Sequence, residues 1–146
     1  MNNIMSKSRL FAASIGAYII SLCLPAFYLS GSVYGSDVAP MFGFNAAFAG
    51  MFGWLGGYFC GLANPLIFAV WIASKKAEHL FVIVGGIFAC ALCLTFLFHH
   101  TILVDEGGNK ATIVGLGPGF WLWLLSPALM VVHGILSLKK HEVTHT

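Results

Sequence analysis

The sequence predicts an all-α membrane protein, a four-transmembrane-helix bundle with both termini cytoplasmic. Three observations predict it. The 146 residues are 59% hydrophobic and only 8% charged, against about 25% charged residues in an ordinary soluble domain. Formal charges are absent from residues 10–36, 38–74, 79–104 and 111–138, and each interval exceeds the roughly 20 apolar residues needed to cross a hydrocarbon core. Six of the seven basic residues stand in pairs at the ends of these intervals, Lys7 with Arg9, Lys75 with Lys76, and Lys139 with Lys140. Threading the chain four times puts all six on one face and leaves Lys110 on the other, so the paired side is cytoplasmic by the positive-inside rule.

The first predicted span covers about 10–30. Lys7 and Arg9 before an apolar run have the form of a secretory signal, but the run from Leu10 to Leu29 is longer than the usual 7–15 residues, so it reads as a retained helix. Cys23 does not fit a lipid-attachment box, because Leu22 stands where a small residue is wanted. A loop follows from Gly31 to about Gly43, with Tyr34, Asp37 and Pro40.

The second span lies within 45–74. As one helix the interval 38–74 would be about 55 Å long at 1.5 Å per residue, so part of it must be loop. Asn64-Pro65 marks a predicted kink, since proline removes a backbone hydrogen bond and crowds the preceding turn. Ser74 to His79 is a short connection, which makes spans two and three antiparallel neighbours. The third span covers 80–98. His99 to Gly119 reads as a polar, glycine-rich connector, because its glycines and proline favour turns over continuous helix; Asp105-Glu106-Gly107-Gly108 lies at its centre. The fourth span covers 120–138, and the whole chain is one polytopic domain. Tyr28, Trp71, Trp121 and Trp123 fall near span ends, where aromatic belts anchor helices.

Composition and motifs exclude several classes. The basic pairs are too scattered for a nucleic-acid surface, so anionic lipid headgroups are their expected partners. A membrane β-barrel would alternate polar and apolar residues, whereas these runs are apolar on every face. No acidic or basic residue lies inside a span, although ion-coupled carriers usually place such groups there. No phosphate loop, nucleophile elbow, zinc spacing or dinucleotide fingerprint stands in a suitable setting. No catalytic residue, metal ligand or cofactor site is therefore expected.

Two features inside the spans could carry function. Ala49, Gly53, Gly57 and Gly61 recur every four residues and would form a smooth groove on span two, since small residues at i and i+4 let another helix approach closely. Ser14, Tyr18 and Ser21 share one face of span one. Asn64 and His133 lie in the same half of the membrane by residue count. Because an unsatisfied polar group in hydrocarbon costs several kcal/mol, these five residues predict a buried polar cluster between helices.

Histidines 79, 99, 100 and 133 raise haem as an alternative, although the inner pair differ in depth by about one turn. Cys90-Ala91-Leu92-Cys93 is a CxxC within span three. In span number and cytoplasmic termini the arrangement resembles the four-helix quinone-linked thiol oxidoreductases, which relay electrons through additional loop cysteines; here Cys23, Cys60, Cys90 and Cys93 all lie inside predicted spans. The size and topology are also similar to those of the four-helix immunity proteins against pore-forming bacteriocins. The leading expectation is a small multi-pass protein of a bacterial inner membrane that works by helix-helix contact, as an accessory subunit or recognition factor. Its partners would be lipid and another membrane protein or a second copy. A redox protein and an oligomeric small-molecule transporter, the latter binding at Asn64-Pro65, are the alternatives.

Overall fold

A computed structural model describes the backbone of residues 2–31, 35–53, 57–103 and 109–143, with side chains described over 8–30, 37–53, 57–103 and 109–138. Tyr34, residues 105–108 and the side chains of Lys7, Lys139 and Lys140 lie outside the described residues. The chain runs α1 (Asn2–Cys23), β1 (Pro25–Gly31), β2 (Gly35–Phe42), α2 (Gly43–Gly53), a 3-10 turn (Phe59–Leu62), α3 (Ala63–Lys75), α4 (His79–Thr95), a second 3-10 turn (Phe96–Phe98), β3 (Thr101–Leu103), β4 (Lys110–Leu116) and α5 (Pro118–Val143).

This overturns the four-transmembrane-helix bundle. Among the described residues five helices accompany a four-stranded antiparallel sheet, and two helical stretches, His79–Phe98 and Pro118–Leu138, are long and apolar enough to cross a membrane. The first predicted span ends early because Leu24 precedes Pro25, and a residue before proline is pushed from helical to extended backbone. The charge-free part of α1, from Leu10 to Cys23, is then about 21 Å of helix, short of the roughly 30 Å hydrocarbon core. The apolar run continues past it as β1.

The second predicted span is likewise not one helix. Gly57 takes a left-handed φ of +83°, a conformation that favours glycine, and the chain turns between α2 and the 3-10 turn that leads into α3. Pro65 does not kink a helix. It sits in the first turn of α3, where its missing N–H has no helical acceptor to lose. The proline within a helix is Pro127, in α5.

The two long connectors, Gly31 to Gly43 and His99 to Gly119, and the end of the first predicted span together form the sheet, in the order β2-β1-β4-β3. Leu29 pairs with Ala39 on one side and Ile113 on the other, and Ile102 pairs with Ala111. Pro40 is tolerated because β2 is an edge strand. Phe27 and Leu29 of β1 and Ala111 of β4 are buried and meet Cys60, Phe96 and Phe120 beneath the sheet.

The helices pack antiparallel in the pairs α1 with α5, α3 with α4, and α4 with α5. Phe11 lies against His133, and Ser14 bonds Ser126. Trp71 bonds Ser14. A Cβ on Gly86 would lie 2.8 Å from Val131, and one on Gly134 would lie 2.7 Å from Ile83. The sheet therefore covers one end of the helices. Arg9, Lys75 and Lys76 stand at the other, with Lys75 Nζ 5.9 Å from the centre of the Phe11 ring.

Candidate functional site

Where the helical layer meets the sheet there is an apolar cavity of about 390 Å³. Its walls come from α2, both 3-10 turns, β1, β3 and the start of α5, with Phe27, Tyr58, Phe96, Phe120 and Trp123 supplying aromatic surface. The site exists because the second predicted span folds back on itself. Gly50 of α2 meets Gly61 so closely that a Cβ on Gly61 would run into the Gly50 carbonyl, and Tyr58 OH bonds the Thr101 carbonyl at 3.4 Å.

Asn64 supplies the polar point of the wall. Its side chain is 4% exposed, and its Oδ1 accepts hydrogen bonds from Trp123 Nε1 at 2.8 Å and Tyr18 OH at 3.3 Å. An indole nitrogen can only donate, so these contacts fix which end of the amide is oxygen. A separate network lies nearer the middle of the helices. There the fully buried Ser14 Oγ donates to the Ser126 carbonyl at 2.8 Å and accepts from Trp71 Nε1 at 2.9 Å.

The five residues predicted as one polar cluster are all buried, and they divide among different contacts. Tyr18 and Asn64 bond each other. Ser14 belongs to the second network. Ser21 donates to the carbonyl of Tyr18 within α1 at 2.6 Å. His133 Nε2 lies 2.9 Å from Ser74 Oγ, toward the end away from the sheet.

The small-residue groove requires a correction. Ala49 and Gly53 belong to α2, Gly57 to the turn and Gly61 to the 3-10 segment, so no single helical face carries all four. The close helix contacts fall instead at Gly85, Gly86 and Gly134, where small residues admit the neighbouring helix. The Gly85-Gly86 pair inside an apolar run was a readable signal for this.

Trp71 and Trp123, predicted as interfacial anchors, direct their indole nitrogens inward to Ser14 and Asn64. Trp121 is exposed. The spacing of Phe120, Trp123, Ser126, Met130, His133 and Ser137 in steps of three and four residues marks the inner face of α5, and could have placed Trp123 there.

The cysteines are free thiols among the described residues. Cys60 lines the cavity, and burial pushes its thiol up, partly opposed by backbone hydrogen bonds. The described residues hold no group of three or more His, Cys, Asp or Glu able to bind a metal. His99 packs against Tyr58 at 4.9 Å between ring centres. Comparison with protein-family models, with curated proteins and with solved structures gives no match.

Proposed function

We propose that this chain is an integral membrane protein, held in the bilayer by α4 and α5, that works by contact with another membrane protein. The observation that carries this reading is its apolar exterior. A third of each of the two long apolar helices is buried, and the rest presents side chains such as Leu80, Val84, Ile87, Phe88, Trp121 and Val132 outward. Apolar surface of that extent marks a membrane or protein contact. α1 and α3, the shorter apolar helices, pack beside this pair.

The partner contact is assigned to α2. Phe44, Phe48, Met51 and Phe52 are each more than half exposed and recur at three- and four-residue steps, so they form one ridge on a short helix. Phe48 and Phe52 stack edge to face at 5.9 Å. Aromatic residues and methionine are enriched at protein interfaces, and an apolar helical ridge fits a groove on a partner.

The test places a photoreactive phenylalanine analogue at Phe48 or Ile87 in intact membranes. Position 87 is expected to give lipid adducts and position 48 a discrete protein adduct. Exclusively lipid adducts from position 48 would refute the partner contact, and release of the whole chain by an alkaline wash would refute membrane insertion.

A further inference from the structure

The side-chain amide of Asn64 is held by its oxygen and leaves its nitrogen without an acceptor among the described residues. Trp123 and Tyr18 both donate to Oδ1, and the Asn64 side chain makes no other hydrogen bond among the described residues. Asn64 is 4% exposed and forms part of the cavity wall. A buried donor left without an acceptor costs about 1–3 kcal/mol. The arrangement persists because the two donors clamp the amide from the other side.

The cavity states what would complete it. A volume of about 390 Å³ falls within the range of roughly 300–1,000 Å³ typical of ligand sites. Water could satisfy the amide, but a water molecule occupies only about 30 Å³, and apolar cavities stay dry away from their polar groups. Among the described residues no Asp, Glu, Lys or Arg lines the walls, so these walls offer a charged ligand no counterion for its desolvation cost.

We propose that the cavity binds an uncharged, apolar molecule whose carbonyl oxygen accepts a hydrogen bond from Asn64 Nδ2, with its body packed among Phe27, Phe96, Phe120 and Trp123. Acyl esters of bilayer lipids and membrane quinones both have this chemistry. α2 serves both readings, with Phe52 on the ridge and on the cavity wall, but this proposal rests on the cavity and on Asn64 and is read by ligand binding, not by partner capture.

The experiment titrates the full chain, in a detergent without carbonyl groups, with a decyl-substituted benzoquinone, with a ten-carbon monoacylglycerol and with decylbenzene as the carbonyl-free control. At least one carbonyl probe is expected to bind about tenfold more tightly than decylbenzene, the equivalent of one hydrogen bond; which of the two does so identifies the source. Asn64→Leu should abolish that advantage and leave decylbenzene binding in place. Ala47→Phe, which adds a ring at a wall residue that takes no part in the Tyr18, Asn64 and Trp123 hydrogen bonds, should weaken binding of all three, and it decides the matter if Asn64→Leu does not fold. Equal binding of the three probes, binding of none, a carbonyl advantage that survives Asn64→Leu, or unchanged binding in folded Ala47→Phe would each overturn the proposal.

Discussion

Trp123 of α5 donates its indole N–H to Asn64 at the start of α3, 59 residues away in sequence, at 2.8 Å. The same oxygen accepts from Tyr18 of α1, so one amide joins three helices. Asn64→Leu is expected to lower stability by about 2–4 kcal/mol, because it strands two buried donors at once. Trp123→Phe and Tyr18→Phe should each cost less, about 1–2 kcal/mol, since each removes one donor and leaves the oxygen a remaining partner. Melting in detergent, combined as a double-mutant cycle, measures the coupling; strict additivity would contradict a shared acceptor.

The α4–α5 contact depends on glycine. Gly86→Ala would bring a Cβ within 2.8 Å of Val131 Cγ2 and 3.4 Å of the Pro127 carbonyl, which predicts a loss of about 1–3 kcal/mol from overpacking. Adding Val131→Ala should recover part of that loss, because the nearer obstacle is a side chain. A double variant no more stable than Gly86→Ala alone would show that the backbone carbonyl sets the limit.

Gly57 and Gly61 should respond to alanine for different reasons. A Cβ on Gly57 meets nothing within 4 Å, but its φ of +83° is left-handed, so Gly57→Ala is expected to cost about 1 kcal/mol through the backbone. Gly61→Ala meets the Gly50 backbone directly and should cost more, with altered binding at the cavity beside it. Equal melting temperatures for the two variants would contradict this distinction.

Ala77 ends α3 with a φ of 59°, the left-handed position where helices usually place glycine. The Glu78 N–H bonds the Ala73 carbonyl at 3.2 Å across it. Ala77→Gly is therefore expected to raise stability, by about 0.5–1 kcal/mol, with cavity binding unchanged. A lower melting temperature would refute the assigned backbone strain.

Thiol chemistry offers a check on the cavity wall. Because burial raises the Cys60 thiol, less of it is thiolate at a given pH, and the thiolate is the reactive form. Iodoacetamide at neutral pH should label the exposed Cys23 well before Cys60, and the Cys60 rate should rise with pH or on unfolding. Equal rates in the folded protein would place Cys60 outside the wall.

The charge-free intervals and the three- and four-residue spacing carried a large part of the helical organisation. The apolar runs over 80–98 and 120–138 fall on α4 with its 3-10 extension and on α5, and Ser14, Tyr18 and Ser21, singled out by periodicity, are buried, as are Asn64 and His133, singled out by depth. Local signals failed where apolar content was taken for helix. β1 is a continuation of the apolar run of α1, and neither β2 nor β4 alternates strongly enough to announce a half-buried strand. Pro25 was the readable sign that α1 could not continue. The positive φ of Gly57 had no sign except glycine itself, set in a spacing that suited a continuous helix equally well.

The sequence by itself determined which segments are apolar, where charge is excluded and which polar side chains face inward, because these are properties of composition and of a 3.6-residue period. Only the tertiary structure decided that the connectors pair into one sheet, that α2 folds back on Gly61, and that Trp123 meets Tyr18 at a single asparagine oxygen. Strand pairing and a shared acceptor join residues dozens of positions apart, and no local periodicity encodes which partner lies across the gap. The cavity beneath the sheet is the result of those distant choices, and so is the Asn64 nitrogen that has no acceptor among the described residues.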